Sequence, residues 1–165
     1  MREITAGQIS EAVEKLCVQS NCILSKDVND ALYSGLKKEK SDTGKEILEQ
    51  ILRNAEIAKT ENMPICQDTG MAVVFIQIGQ DVHITGGSVE AAVNRGVRNG
   101  YSKGYLRNSV VSDPFDRKNT GDNTPAIVHY EMTEGDKLKI TLAPKGFGSE
   151  NMSALKMLKP SDGLA

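Results

Sequence analysis

The sequence predicts an α+β fold: N-terminal helices followed by a mixed or antiparallel sheet with packing helices, in the order αααββαββα. Three observations lead there. Apolar side chains recur at helical spacing through the first sixty residues. After residue 70 they gather into short runs rich in Val and Ile, and Gly, Pro, Asn and Asp separate those runs. At 165 residues the chain suits a single domain, residues 1–165, long enough to bury a core.

The elements follow in order. Ile9, Ala12, Val13, Leu16 and Cys17 form one apolar helical stripe. Ser25 can cap a second helix with Val28, Ala31, Leu32, Gly35 and Leu36 on one face. Thr43 and Glu46 match a capping box for a third, carrying Ile47, Ile51, Leu52, Ala55 and Ala58 and failing near Asn62 because Pro64 follows. Met71 to Ile78 is apolar at every position but Gln77 and reads as a strand buried on both faces. A turn at Gly79-Gln80-Asp81 leads to a short strand, Val82 to Thr85. Ser88 then caps a helix with Ala92, Val93, Gly96, Val97 and Gly100 on one face. Gly96 and Gly100 are poor helix formers, which points to close packing against a neighbour. Ser112 to Pro125 is a long loop. Ala126 to Met132 and Lys137 to Leu142 read as a hairpin around Thr133-Glu134-Gly135-Asp136, its second strand burying Leu138, Ile140 and Leu142. Glu150 to Leu158 is the last expected helix.

Composition narrows the function. A net charge of −2 without a basic block gives no support for nucleic-acid or membrane-surface binding. No apolar run reaches membrane-spanning length, and Met1-Arg2-Glu3-Ile4-Thr5 does not read as a signal peptide. Three cysteines cannot form a complete disulfide framework, so a reducing, cytoplasmic setting is expected.

The sharpest local signal is Cys66-Gln67-Asp68-Thr69-Gly70, bracketed by Pro64 and Gly70. A bend there can aim a soft metal ligand and a proton carrier into one cleft, which neighbours on a strand cannot do. A polar loop with an incidental cysteine is the plain alternative. Cys17 falls on a helical stripe and reads as a structural thiol; Cys22 falls in an expected turn, too far along for a CxxC pair. That leaves Cys66 as the one candidate ligand, and one thiolate cannot hold an iron–sulfur cluster. Lys145-Gly146-Phe147-Gly148-Ser149 lacks P-loop spacing but can offer backbone N–H groups to a carboxylate, or be a simple connection. Arg107 reads either as a helix-end arginine or as a bidentate carboxylate clamp. His83 and His129 read as ordinary strand histidines.

Several ordered blocks then match a known pattern: Met63 to Gly70, Gly104 to Val111, Asp113-Pro114, Asn119 to Pro125, and Pro144 to Asn151. Together they resemble the N-terminal portion of the α-subunit of an iron–sulfur hydro-lyase, of the class I fumarate hydratase and L(+)-tartrate dehydratase family. The resemblance implies a [4Fe-4S] cluster with Cys66 as its first metal ligand and the remaining ligands outside this chain. It implies Asp68 as the catalytic proton carrier, and Gln67, Asp68, Arg107, Gly146, Gly148 and Ser149 as substrate-binding residues. It further implies reversible dehydration of a C4 dicarboxylate, (S)-malate to fumarate or L(+)-tartrate, the former a step of the tricarboxylic acid cycle. The partner implied is a β-subunit or C-terminal domain that brings further substrate contacts and the base. The family α-subunit continues beyond the point equivalent to Ala165. This chain is therefore expected to be inert alone; the rival reading makes it only a non-catalytic scaffold or assembly domain. Apolar surface on the Val93–Gly100 helix and on the last helix is expected to make it self-associate or need its partner for full stability.

Overall fold

A computed structural model describes residues 1–148 and 152–163. The order is β1 (Arg2–Thr5), α1 (Ala6–Cys22), α2 (Lys26–Lys38), α3 (Asp42–Glu61), β2 (Met71–Gly79), β3 (Val82–Thr85), α4 (Val89–Lys103), β4 (Ile127–Thr133) and β5 (Leu138–Lys145), then a 3-10 turn at Pro160–Asp162. This is an α+β fold with a mixed sheet. Helices α1 and α4 cover one face of the strands, and the core forms where Ile9, Val13, Val93 and Val97 meet Ala72, Val74 and Ile76.

Local chemistry explains the helix starts. Ser88 Oγ accepts from the Ala91 N–H at the head of α4. At α1, Thr5 and Gln8 form a capping box, the Thr5 hydroxyl taking the Gln8 N–H and the Gln8 side chain taking the Thr5 N–H. The box expected at Thr43 and Glu46 does not form. Helix α3 begins two residues earlier, where Ser41 Oγ accepts from the Gly44 N–H. It ends at Asn62 in the left-handed region, φ 53°, a conformation Asn tolerates.

Four other expectations are corrected. A short strand, β1, precedes the first helix and pairs in parallel with β3, so the strands form two sheets rather than one. Its four residues, with one buried side chain, are too few to register as a pattern. The expected hairpin is not a hairpin: β2 lies between β4 and β5, parallel to the first and antiparallel to the second. The connection at 134–137 instead crosses the end of β2, where the Gly79 N–H donates to the Lys137 carbonyl and the Asp81 N–H to that of Gly135. Strand β2 is buried on one face only, since Phe75 is 45% exposed and stacks on His129 across the open face. Residues 153–158 form no helix. Met152 and Leu155 are fully out in solvent, and a segment this short does not hold helical geometry without a packed face. Residues 150 and 151 of that expected helix lie outside the described residues.

The glycine face of α4 is not open surface. A Cβ on Gly96 would sit 2.5 Å from the Ser10 carbonyl oxygen and 2.7 Å from Val13 Cβ; one on Gly100 would sit 2.7 Å from Cys17 Cβ. The backbones of α1 and α4 therefore touch, as the two glycines led us to expect. Besides Met152, Leu155 and Leu158, which are exposed, outward apolar surface lies on α2 and α3, where Val28, Ile47 and Ile51 are exposed. They line a groove of about 650 Å³ with Leu24, Leu32 and Ile65.

Gly96→Ala should destabilise the chain by about 1–3 kcal/mol through forced separation of the helices, outweighing the roughly 1 kcal/mol it gains in helix propensity. Gly7→Ala, where the nearest atom is Thr5 Oγ1 at 3.6 Å, should be neutral or stabilising. Urea denaturation checks both. Equal midpoints for the two variants would remove the close-contact argument.

Candidate functional site

Cys66, Gln67 and Asp68 lie on the turn between α3 and β2. The turn is tied down at both ends. Before it, the Ile65 N–H donates to the carbonyl of Asn21 in α1, and Asn54 Nδ2 donates to the Ile65 carbonyl at 3.0 Å. After it, Tyr101 Oη donates to the Thr69 carbonyl at 2.8 Å and Asn123 Nδ2 to the Gly70 carbonyl at 3.0 Å. Gly70 takes φ +58°, and any Cβ there would overlap the Lys145 carbonyl, so glycine is required on two counts.

Within this frame the Cys66 thiol is exposed. Its sulfur lies 3.4 Å from Gln67 Oε1 and accepts the Asp68 N–H at 3.5 Å. The Asp68 carboxylate is held by two amides: Oδ1 takes the Gly70 N–H at 3.1 Å, and Oδ2 takes the Phe147 N–H at 3.2 Å. A Cβ on Gly146 would come within 2.8 Å of Asp68 Oδ2, so this glycine lets the chain pass close to the carboxylate. The amide facing Asp68 is thus that of Phe147, between Gly146 and Gly148. Ser149 lies outside the described residues.

Arg107 sits two residues before the paired Ser109–Val110 amides. Its carbonyl accepts from Thr69 Oγ1 at 3.0 Å, which puts its backbone beside the residue following Asp68. Its side chain is exposed and makes no ion pair with another described residue. The turn, the Arg107 segment and the 146–147 connection therefore come together. The expected alternative, Arg107 as a helix-end cap, does not occur; Gly104 closes α4 and the Leu106 N–H bonds the Tyr101 carbonyl.

The other thiols are remote in character. Cys17 is fully buried, and Cys22, rather than lying in a turn, is the buried last residue of α1. Burial, with Glu14 adding to it, pushes the Cys17 thiol from 9.0 up to about 12. His83 and His129 lie on β3 and β4. Among the described residues no group of three His, Cys, Asp or Glu side chains is arranged to hold a metal ion. No described helix is long and apolar enough to cross a membrane.

Tyr101 and Asn54 had no place in the sequence reading of the site, and Thr69 and Asn123, though inside quoted motifs, were given no role there. Tyr101 continues the apolar face of α4 four residues beyond Val97, and Asn123 looks like any polar loop residue. What marks them is their partners, which sequence spacing does not reveal.

The profile of the fumarate hydratase (Fumerase) family matches residues 10–165. The chain belongs to that family. It is 38% identical over 163 residues to a putative L(+)-tartrate dehydratase subunit alpha of Methanocaldococcus jannaschii, covering 95% of this chain and 57% of that protein. To the aerobic class I fumarate hydratase of Escherichia coli it is 41% identical over 119 residues, 71% of this chain and 22% of the other. An L(+)-tartrate dehydratase subunit alpha of Escherichia coli is 28% identical over 166 residues, 98% of this chain and 54% of that subunit. The chain thus spans about half the length of the α-subunits it matches.

Thiol labelling of the native chain should modify Cys66 alone at first, with Cys17 and Cys22 reacting only on unfolding. Early modification of Cys17 would contradict its burial. The raised Cys17 thiol has a second consequence. The folded chain keeps this proton after the unfolded chain has lost it, so its stabilisation is complete below pH 9.0 and declines as pH rises toward about 12. Cys17→Ala should flatten the alkaline fall in denaturation midpoint relative to the parent chain. An unchanged slope would show that another group causes it.

Proposed function

We propose that the chain is part of a [4Fe-4S]-dependent hydro-lyase that reversibly dehydrates a C4 2-hydroxy dicarboxylate, with (S)-malate to fumarate and water as the first assignment. Family membership supports the class of reaction. The observation that carries the site is the Cys66–Asp68 turn, where an exposed thiol and an amide-held carboxylate stand side by side.

The residues present suit one corner of a cluster and no more. Holding one takes about three or four thiolates; Cys66 is accessible, whereas Cys17 and Cys22 are buried in the helical layer. The remaining ligands would come from outside these residues, and no closed site is assigned to this chain. When bound, such a cluster supplies Lewis acidity toward the substrate hydroxyl and an adjacent carboxylate.

What this chain's own residues contribute can be stated separately. Dehydration removes a proton from carbon and expels hydroxide from the neighbouring carbon, and hydroxide leaves poorly unless protonated. Asp68, oriented by the Gly70 and Phe147 amides, is assigned to carry that proton, departing with the hydroxyl as water or returning in hydration. Gln67, beside it, is assigned to hydrogen-bond the substrate. Arg107, exposed and unpaired with any described carboxylate, is assigned to grip a substrate carboxylate. The Gly146–Gly148 backbone, with Ser149 as the proposed continuation, lines the same ligand. The base that takes the carbon-bound proton is assigned to a β-subunit or C-terminal domain, in keeping with relatives named as alpha subunits. Free cysteines suit a cytoplasmic setting, and the malate–fumarate reading would put the enzyme in the tricarboxylic acid cycle.

L(+)-tartrate is the second reading. The relatives aligned over almost the whole chain carry the tartrate dehydratase name, while the fumarate hydratase alignment covers 71% of it.

The test uses the enzyme assembled anaerobically with its complementary subunit. Cys66→Ser should abolish retention of iron and sulfide. Asp68→Asn should retain the cluster and lower turnover by about 10²-fold or more, since it removes a proton carrier and not a ligand. Full activity in Asp68→Asn would overturn the role given to it. Parallel assays with malate, fumarate and L(+)-tartrate decide the substrate.

A further inference from the structure

Three bridges join the backbone after Asp68 to its surroundings, and the most buried of them ends in Asn123. This side chain is fully buried. Its Oδ1 accepts the Ser109 N–H at 2.6 Å and the Val110 N–H at 3.1 Å, and its Nδ2 donates to the Gly70 carbonyl at 3.0 Å. One planar group therefore grips the chain two residues after Asp68 and two residues after Arg107. We propose that Asn123 is a positioning residue, whose carboxamide fixes the spacing between the Cys66–Asp68 turn and the Arg107 segment. The inference rests on reading those two segments as one site, but its test does not require turnover.

The chemistry of the position selects this residue. The two N–H groups need an acceptor and the Gly70 carbonyl needs a donor, so the amide orientation follows from its partners. An ionised Asp has no donor for Gly70, Leu has neither function, and Gln is one methylene too long for a site without solvent access. Asn123 also stands at φ 58°, where Asn is better tolerated than other residues with a side chain. Its own loop is anchored, because Arg98 Nε of α4 donates to Asp122 Oδ2 at 2.8 Å.

Tyr101 and Thr69 complete the clamp. Burial pushes the Tyr101 phenol well above its usual range, so it stays a donor to the Thr69 carbonyl. Thr69 Oγ1 in turn donates to the Arg107 carbonyl. Both contacts run between the same two segments or tie one of them to α4.

Amide hydrogen exchange on the full chain tests the assignment. The informative amides are those of Gly70 and Phe147, which donate to Asp68 and not to Asn123. In Asn123→Ala they should lose about tenfold or more protection relative to β2 core amides, as a local opening would. Val13→Ala, which weakens the α1–α4 core away from the site, should lower protection evenly. If Asn123→Ala deprotects only Ser109 and Val110, or behaves like Val13→Ala, Asn123 is a local brace and the proposal fails. Should the alanine variant not fold, Asn123→Asp keeps an acceptor for Ser109 and Val110 while removing the donor to Gly70. It should deprotect the same two amides; unchanged protection there would equally overturn the proposal. If Asp68 proves dispensable for turnover while these exchange results hold, the functional reading fails and the positioning role stands.

Discussion

Two helices in backbone contact hold this structure together. At Gly96 and Gly100 the absence of side chains lets α4 lie directly on Ser10, Val13 and Cys17 of α1. That contact buries Val13, Cys17, Val93 and Val97 completely and presents a single apolar layer to the inner faces of the strands. Its reach extends beyond the core. The last turn of α1 supplies the Asn21 carbonyl that receives Ile65, and the last turns of α4 supply Tyr101, which holds Thr69. Both ends of the Cys66 turn therefore hang from one rigid pair, and a shift of either helix would move the thiol and the carboxylate together.

The same frame explains why the site residues are exposed without being loose. Cys66, Gln67 and Arg107 face outward, while the backbone that carries them is fastened by buried polar groups, Asn123, Tyr101 and Thr69. Among the described residues no buried side-chain polar atom lacks a partner, as a polar network of this kind demands to be net stabilising. Beside the turn, Ile65 forms one wall of the apolar groove between α2 and α3. Chemistry-bearing residues and uncovered apolar surface thus adjoin each other on one side of the molecule.

How much of this was legible in the sequence depended on whether the determining interaction was local. The stripes of α1 and α4, the Ser88 cap, the end of α3 at Asn62 and the bend at Cys66 all follow from neighbours within a few positions. The glycine pair could be read as a contact, though not with which partner. For β2 to β5 strand existence was legible, for the four-residue β1 it was not, and strand pairing was legible for none. Two apolar runs around a four-residue turn look like a hairpin, and nothing local reveals that β2 takes the space between them. Phe75 misled for a related reason: an apolar residue on an open sheet face has the same local signature as one in a core. The site divides the same way. Cys66, Asp68 and Arg107 stood out by residue type and motif, while Asn123 is distinguished only by carbonyl and amide groups far away in the chain.

The insertion of β2 between β4 and β5 also has a bearing on the order of assembly. The residues of β2 and β4 that face each other, such as Gln77 and Glu131, are 54 positions apart. On a growing chain β2 is complete, with both edges unpaired, long before either neighbour exists. When β4 and β5 do appear, their short connection favours pairing with each other, because closing a small loop costs less entropy than closing a large one. The native sheet requires that early hairpin to be avoided or reopened, so that β2 can enter. Until then the unpaired backbone N–H and C=O groups along both edges of β2 are available to other chains. The helix pair limits this interval only in part, since α4 can settle onto α1 and hold the inner face of β2 before the sheet closes.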